Sequence, residues 1–192
     1  MSRRIVVGIS GASGAIYGVR LLEVLRDLDG VESHLVMSAG AEATIRYETG
    51  REPAEVGALA DVAHAERDLA APLSSGTFLT SGMAIAPCSM RTLSGVANSA
   101  NDNLLVRAAD VHLKERRPLV LVVRETPLHA GHLRLMLDAT AAGAVILPPV
   151  PGFYQRPQSV GEIVDYTVAK VLDALGVHDH DLIRRWAGPD GD

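Results

Sequence analysis

Three short turns in this chain carry hydroxyl side chains where apolar runs end: Ser10-Gly11-Ala12-Ser13-Gly14, Ser38-Ala39-Gly40 and Pro87-Cys88-Ser89-Met90-Arg91-Thr92. Each puts a small hydroxyl residue just before, or inside, the first turn of an expected helix. Free backbone N–H groups and the positive end of the helix dipole favour an anion there, and a serine hydroxyl adds a donor. Any one of these serines could do no more than cap its own helix. Three along one rim of a sheet favour a phosphate-bearing ligand. A second group is cationic. Arg124-Glu125 follows the apolar run Leu119-Val120-Leu121-Val122-Val123, and so leaves a strand at its carboxyl end, where ligands sit in open α/β sheets. Arginine suits a two-point grip on phosphate oxygens. Glu125, if withdrawn from water, would have a raised pKa and could shuttle protons. Arg107 and Lys114 lie seven residues apart on one face of an expected helix, with Asp110 between them; a solvated ion-pair stripe is the competing reading. Lys170, taken alone, reads as a solvated side chain.

The elements that must position these residues follow from the hydrophobic pattern. Ile5–Ile9, 34–37, 83–86, 119–123 and 144–147 read as buried strands. Helices are expected over 15–28, 40–48, 90–97, 103–115, 129–141 and 160–175. Alternation of this kind, with fully apolar strands, predicts a doubly wound α/β fold: a parallel sheet between two helical layers, Rossmann-like or flavodoxin-like. Residues 64–82 and the proline-rich stretch 148–154 break the rhythm and read as functional loops. No repeat and no low-complexity tract is visible. The 192 residues therefore read as one domain, at roughly 100–200 residues per domain, with a tail from about residue 176.

Composition removes several classes of function. The chain is 47% hydrophobic and 21% charged, enough to bury a core and incompatible with disorder. Only 4% is aromatic, which argues against stacking platforms for single-stranded nucleic acid. A net charge of −5 gives no basic footprint for nucleic acid or an anionic membrane surface. The single cysteine, Cys88, permits no internal disulfide and suits a reducing cytoplasm. The apolar run after Arg3-Arg4 is too short for a signal peptide, and no stretch reaches membrane-span length.

The cofactor can be narrowed from the same residues. Gly8, Gly11 and Gly14 are spaced G-x-x-G-x-x-G, with Ile9 where a dinucleotide fingerprint needs its first glycine. The second strand ends at Ser38, without an acidic residue to grip a ribose. No glycine-lysine pair opens a helix as a P-loop would. NAD and ATP are disfavoured, and a mononucleotide such as FMN remains. Other features have plain structural readings. Ser159-Val160-Gly161-Glu162 is a capping box. His129 and His132 lack a third ligand nearby in sequence, so no metal is expected. His178-Asp179-His180 reads as a solvated loop and Cys88 as packing.

Four segments together resemble the flavin prenyltransferases of the UbiX/Pad1 type: Gly8-Ile9-Ser10-Gly11-Ala12-Ser13-Gly14-Ala15-Ile16-Tyr17-Gly18, Ala109-Asp110 through Leu113-Lys114-Glu115-Arg116-Arg117-Pro118, Arg124-Glu125-Thr126-Pro127 and Gly152-Phe153-Tyr154-Gln155-Arg156-Pro157-Gln158-Ser159. The resemblance runs from about residue 3 to 186. It implies joining a dimethylallyl group from dimethylallyl monophosphate to N5 and C6 of reduced FMN. The product would serve a partner decarboxylase, and the enzyme would be a dodecamer with sites shared between subunits. By position, Gly11, Ala12, Ser13, Ser38, Ser89, Met90, Arg91, Thr92 and Arg124 would hold FMN, with Ser13 near N5. Lys114, Arg124, Tyr154 and Lys170 would grip the prenyl phosphate, and Glu48 and Glu125 would manage protons. Arg107 would support the site across a subunit boundary, and Trp186 would close over it. A diphosphate-using prenyltransferase normally holds Mg²⁺ on an Asp-rich motif, absent here; fixed Arg and Lys charges could neutralise a monophosphate leaving group without metal. Two positions depart from the family pattern. Lys170 stands where many relatives have arginine, and Ser38-Ala39-Gly40 where many read Ser-Lys-Ala. An FMN-dependent cysteine decarboxylase, which shares the fold, would need a Pro-x-Met-Asn motif that the chain lacks. A flavodoxin-like FMN carrier would leave Glu125 and the cations without a role.

Overall fold

The computed structural model describes residues 3–185. The chain begins with β1 (Arg3–Ile9), α1 (Ala15–Arg26), β2 (Val31–Met37), α2 (Ala39–Thr49), α3 (Pro53–Gly57) and β3 (Val62–His64). It continues through β4 (Gly82–Cys88), α4 (Met90–Ala97), α5 (Leu104–Lys114), β5 (Leu119–Val123), α6 (Ala130–Ala142), β6 (Val145–Ile146) and α7 (Val160–Ala174). Short 3₁₀ turns lie at Pro72–Ser74 and Phe153–Gln155. The six strands form one sheet in the order β3-β2-β1-β4-β5-β6, every pair parallel. This is the Rossmann order, in which the direction of winding reverses between β1 and β4 and opens a crevice above that pair.

The apolar strands are buried on both faces, as period-two alternation requires. Ile5, Val7 and Ile9 of β1 join the core beneath α1 and α7, whereas Val6 joins Met83, Ile85 and Leu105 in the core beneath α4, α5 and α6. Helix α1 approaches the sheet closely at Gly18. A Cβ there would lie 2.3 Å from the Ala86 carbonyl oxygen and 2.7 Å from Ile9 Cγ1. That contact lets α1 start directly above the β1–β4 crevice.

The expected doubly wound α/β fold is present, with three differences in detail. Strand β3 and helix α3 were not expected, and β6 is two residues rather than four. The unexpected β3 and the shortened β6 share one cause: both are edge strands, paired on one side, and two of the three β3 residues are exposed. The 64–82 stretch is pinned structure rather than an open loop. Arg117 donates to the Phe78 carbonyl at 2.9 Å and Arg107 to the Ser74 carbonyl at 3.2 Å.

The His178–His180 segment is exposed at His178 and Asp179, as expected, but its His180 ring is docked. Arg185 makes two hydrogen bonds to the Asp173 carboxylate, at 2.6 and 2.7 Å, and the buried His180 ring stands 3.4 Å from it. The Arg185 bonds, aided by His178 and His180, hold the Asp173 pKa down to about 2. At the start of α7, Ser159 accepts from the Glu162 amide, but the Glu162 carboxylate turns to the Gln158 amide, so the expected box closes one residue early. Among the described residues, no helix is long and apolar enough to cross a membrane, and no group of three or more His, Cys, Asp or Glu is arranged to hold a metal ion.

Because Gly18 meets backbone rather than a yielding side chain, Gly18→Ala should destabilise the protein by about 2 kcal/mol. A denaturant midpoint unchanged from wild type would refute this close-packed contact.

Candidate active site

The rim is assembled from loops that the carboxyl ends of β1, β2, β4 and β5 deliver to one edge. Gly14, the N-cap of α1, has φ 101°, a left-handed conformation that only glycine adopts without strain, and it has no side chain to cap with. The cap comes from α2. Glu48 Oε2 accepts from the Gly14 amide at 2.7 Å and from the Ala15 amide at 2.9 Å. What burial Glu48 has opposes its ionisation. The Ser13 hydroxyl, those two amides and the nearby Arg124 charge outweigh it and hold the carboxyl below its ordinary value. Arg124 acts on Tyr17 as well, although burial dominates there and pushes the phenol up. Ser13, Tyr17, Glu48 and Arg124, scattered through the sequence, thus meet at one point.

The serines divide their work. Ser10 is buried; its hydroxyl donates to the Pro87 carbonyl at 2.9 Å and accepts from the Ser89 amide at 2.7 Å. Ser38 caps α2 through the Ala41 amide, and Ser89 caps α4 through the Thr92 amide, each at 3.2 Å. The capping reading therefore describes Ser38 and Ser89 as they stand. The Ala39 amide donates to Glu66 Oε2 at 3.0 Å, so a second protein carboxylate closes the start of α2. The α4 terminus differs. Among the described residues its Met90 and Arg91 amides meet no protein acceptor. Arg91, but not Met90, lines a cleft of about 940 Å³ together with Gly11, Ser38, Glu66, Ser89, Thr92 and Asn103.

Beside this rim, the 148–154 stretch ends in the 3₁₀ turn that carries Tyr154. Its hydroxyl lies 3.3 Å from that of Tyr166 on α7, with the rings edge to face at 6.0 Å. The Tyr166 hydrogen bond, then a Gln155 bond and the Lys170 charge, lower the Tyr154 pKa. Lys170 itself is exposed on α7.

Other expected site residues lie apart. Arg107 pairs with Asp110 at 2.8 Å, the ion-pair alternative. Lys114 pairs with Glu115 at the far end of α5, roughly 15 Å along the axis from Leu104 at 1.5 Å per residue. A single chain does not bring it to Arg124. Glu125 is exposed, with Oε1 accepting from the Thr126 amide at 2.9 Å, so one chain alone does not supply the desolvation its expected role requires. Ala12 and Met90 are half-buried; Met90 packs on the core beneath α4. Trp186 lies outside the described residues. Sequence reasoning grouped Ser10 with the phosphate-binding hydroxyls, whereas its side chain is committed to Pro87 and Ser89; it gave no role to Tyr17, Glu66 or Tyr166. Only Tyr166 left a readable signal, four residues before Lys170 and so on the same helical face.

Comparison with known proteins fits this geometry. The chain matches the Flavoprotein family over residues 1–172. It is 61% identical over 187 residues to the flavin prenyltransferase UbiX of Escherichia coli strain K12, covering 97% of this chain and 99% of the relative. The chain belongs to the UbiX flavin prenyltransferases. A crystal structure of AnUbiX (PadA1) in complex with FMN and dimethylallyl pyrophosphate superposes with a TM-score of 0.93 at 52% identity, covering 98% of this chain and 99% of that one. A dodecameric FMN-dependent UbiX-like decarboxylase from E. coli O157:H7 gives 0.93 at 49% identity, covering 96% and 100%. The UbiX relationship accounts for the Rossmann order of the sheet.

Because the folded-state pKa of Glu48 is lowered, its stabilising effect is complete above the unfolded value near 4.5 and is lost as pH falls through the folded value. Glu48→Gln should therefore cost about 0.5–1 kcal/mol of stability at neutral pH. The gap should close in acid, as seen by urea denaturation at several pH values. A gap that persists in acid would show that the charge is not what caps α1.

Proposed function

We propose that this protein is a metal-independent flavin prenyltransferase, joining a dimethylallyl group from dimethylallyl monophosphate to N5 and C6 of reduced FMN. The observation that carries the reading is the division of helix ends at the rim. Glu48 and Glu66 close α1 and α2, leaving the α4 amides and the Ser89 and Thr92 hydroxyls as the place for a phosphate. The residues fit FMN on that ground. Gly11, Ala12, Ser13, Ser38, Ser89, Met90, Arg91, Thr92 and Arg124 would hold it. Reduced FMN, when bound, supplies the nucleophilic nitrogen and carbon.

The remaining residues serve the isoprenoid ester. Arg124, Tyr154 and Lys170 grip its phosphate, and their charge stabilises the leaving oxygen as the allylic C–O bond breaks. Glu48, held ionised, orients the Ser13 hydroxyl. Glu125 takes up a proton once a neighbouring copy withdraws it from water. Lys114 and Arg107 lie away from their own chain's rim, and they complete the cleft of that neighbour. The assembly is a homo-oligomer, a dodecamer like the E. coli O157:H7 relative. The chain works as one domain in the cytoplasm and passes its product to a decarboxylase of unsaturated or aromatic acids. Identity near 60% to named flavin prenyltransferases favours this reading over the cysteine decarboxylase and the electron carrier.

Anaerobic incubation with reduced FMN and dimethylallyl monophosphate, with the diphosphate run in parallel, should yield extracted flavin heavier by one dimethylallyl group. A preparation that binds FMN but gives no mass gain with either ester would defeat the proposal. Glu125→Gln should bind FMN normally while turnover falls about a hundredfold or more. Wild-type turnover in that variant would remove Glu125 from the chemistry.

A further inference from the structure

Tyr166 stands on α7 between two anchors. Its neighbour Asp165 pairs with Arg20 of α1 at 2.6 Å, and its other neighbour Thr167 is buried and hydrogen-bonded to Tyr17. These contacts fix the α7 backbone at this point. The Tyr166 ring closes on Gly152, where an added Cβ would lie 2.6 Å from Tyr166 Cζ. Gly152 is the residue from which the 3₁₀ turn carrying Tyr154 begins. Tyr166 therefore touches the Tyr154 segment twice, ring against backbone and hydroxyl against hydroxyl at 3.3 Å. Such hydrogen bonds are often long without ligand and tighten when the ligand binds.

Lysine at position 170 sharpens the need for this support. An arginine fork meets phosphate with two donors in fixed geometry, whereas a lysine ammonium is a point charge on a flexible stem. A lysine site gains direction only if another donor is held still beside it. Four residues along α7 separate Tyr166 from Lys170, so both project from one helical face toward the Tyr154 turn. We propose that Tyr166 is a positioning residue for the prenyl donor, locking the Tyr154 phenol beside Lys170 so that the two present a preset pair to the ester phosphate. This rests on the prenyl-transfer reading for the identity of the ester.

Tyr166→Phe keeps the ring on Gly152 and removes the hydroxyl, so the fold is retained. Affinity for dimethylallyl monophosphate is measured on protein loaded with oxidised FMN, which does not turn over. It should fall roughly three- to tenfold, with FMN affinity unchanged. Tyr154→Phe combined with Tyr166→Phe should bind no more weakly than Tyr154→Phe alone, because Tyr166 acts through Tyr154. Carbon-13 NMR of tyrosine Cζ provides a readout independent of ligand. Tyr154 should ionise below the ordinary tyrosine range in the wild type and return toward it in Tyr166→Phe. Donor affinity unaltered by Tyr166→Phe, or losses that add in the double variant, would overturn the proposal. If the wild type makes no prenylated flavin while donor binding and Cζ titration respond as stated, prenyl transfer fails and the positioning role of Tyr166 stands.

Discussion

A carboxylate from one helix closing the amino end of another organises this rim. Glu48 reaches from α2 to the Gly14 and Ala15 amides of α1, where a nucleotide-binding fold would ordinarily seat a phosphate. With that position held by a protein anion, and the Ala39 amide at the start of α2 held by Glu66, the Met90 and Arg91 amides of α4 are the ones left without a protein acceptor among the described residues. Arg124 lies near enough to the Glu48 carboxylate to help hold it ionised. The Ser13 hydroxyl hydrogen-bonds to the same carboxylate, which limits its rotation above the turn.

Much of the architecture was legible in the amino-acid order because parallel strands buried on both faces leave unbroken apolar runs. Leu119–Val123 and Ile5–Ile9 show this directly. Short edge strands escape such reading, since Val62-Ala63-His64 is half solvent-facing and carries no period that a loop could not. The site was legible in a different measure. Arg124-Glu125 stood out by position alone, at the end of the strongest strand. Glu48 and Tyr154 could be singled out only through the family resemblance, because their partners lie 34 and 12 residues away and meet only after the sheet has formed.

The cations that one chain fails to gather are as informative as those it does. Arg107 is held by Asp110 and the Ser74 carbonyl, and Lys114 by Glu115. Both belong to a helix whose start lines the cleft and whose end lies far from it. A site that used them would have to draw them from a second copy of the chain.

Ser10 carries a consequence of another kind. Its buried hydroxyl donates a hydrogen bond to the Pro87 carbonyl and accepts one from the Ser89 amide, riveting the ends of two strands together. The Ser10 backbone amide donates to the same Pro87 carbonyl at 3.2 Å, so one residue ties the end of β1 to the end of β4 by main chain and side chain together. The start of α4 is thereby held in register with β1 by a side chain that has almost no surface of its own.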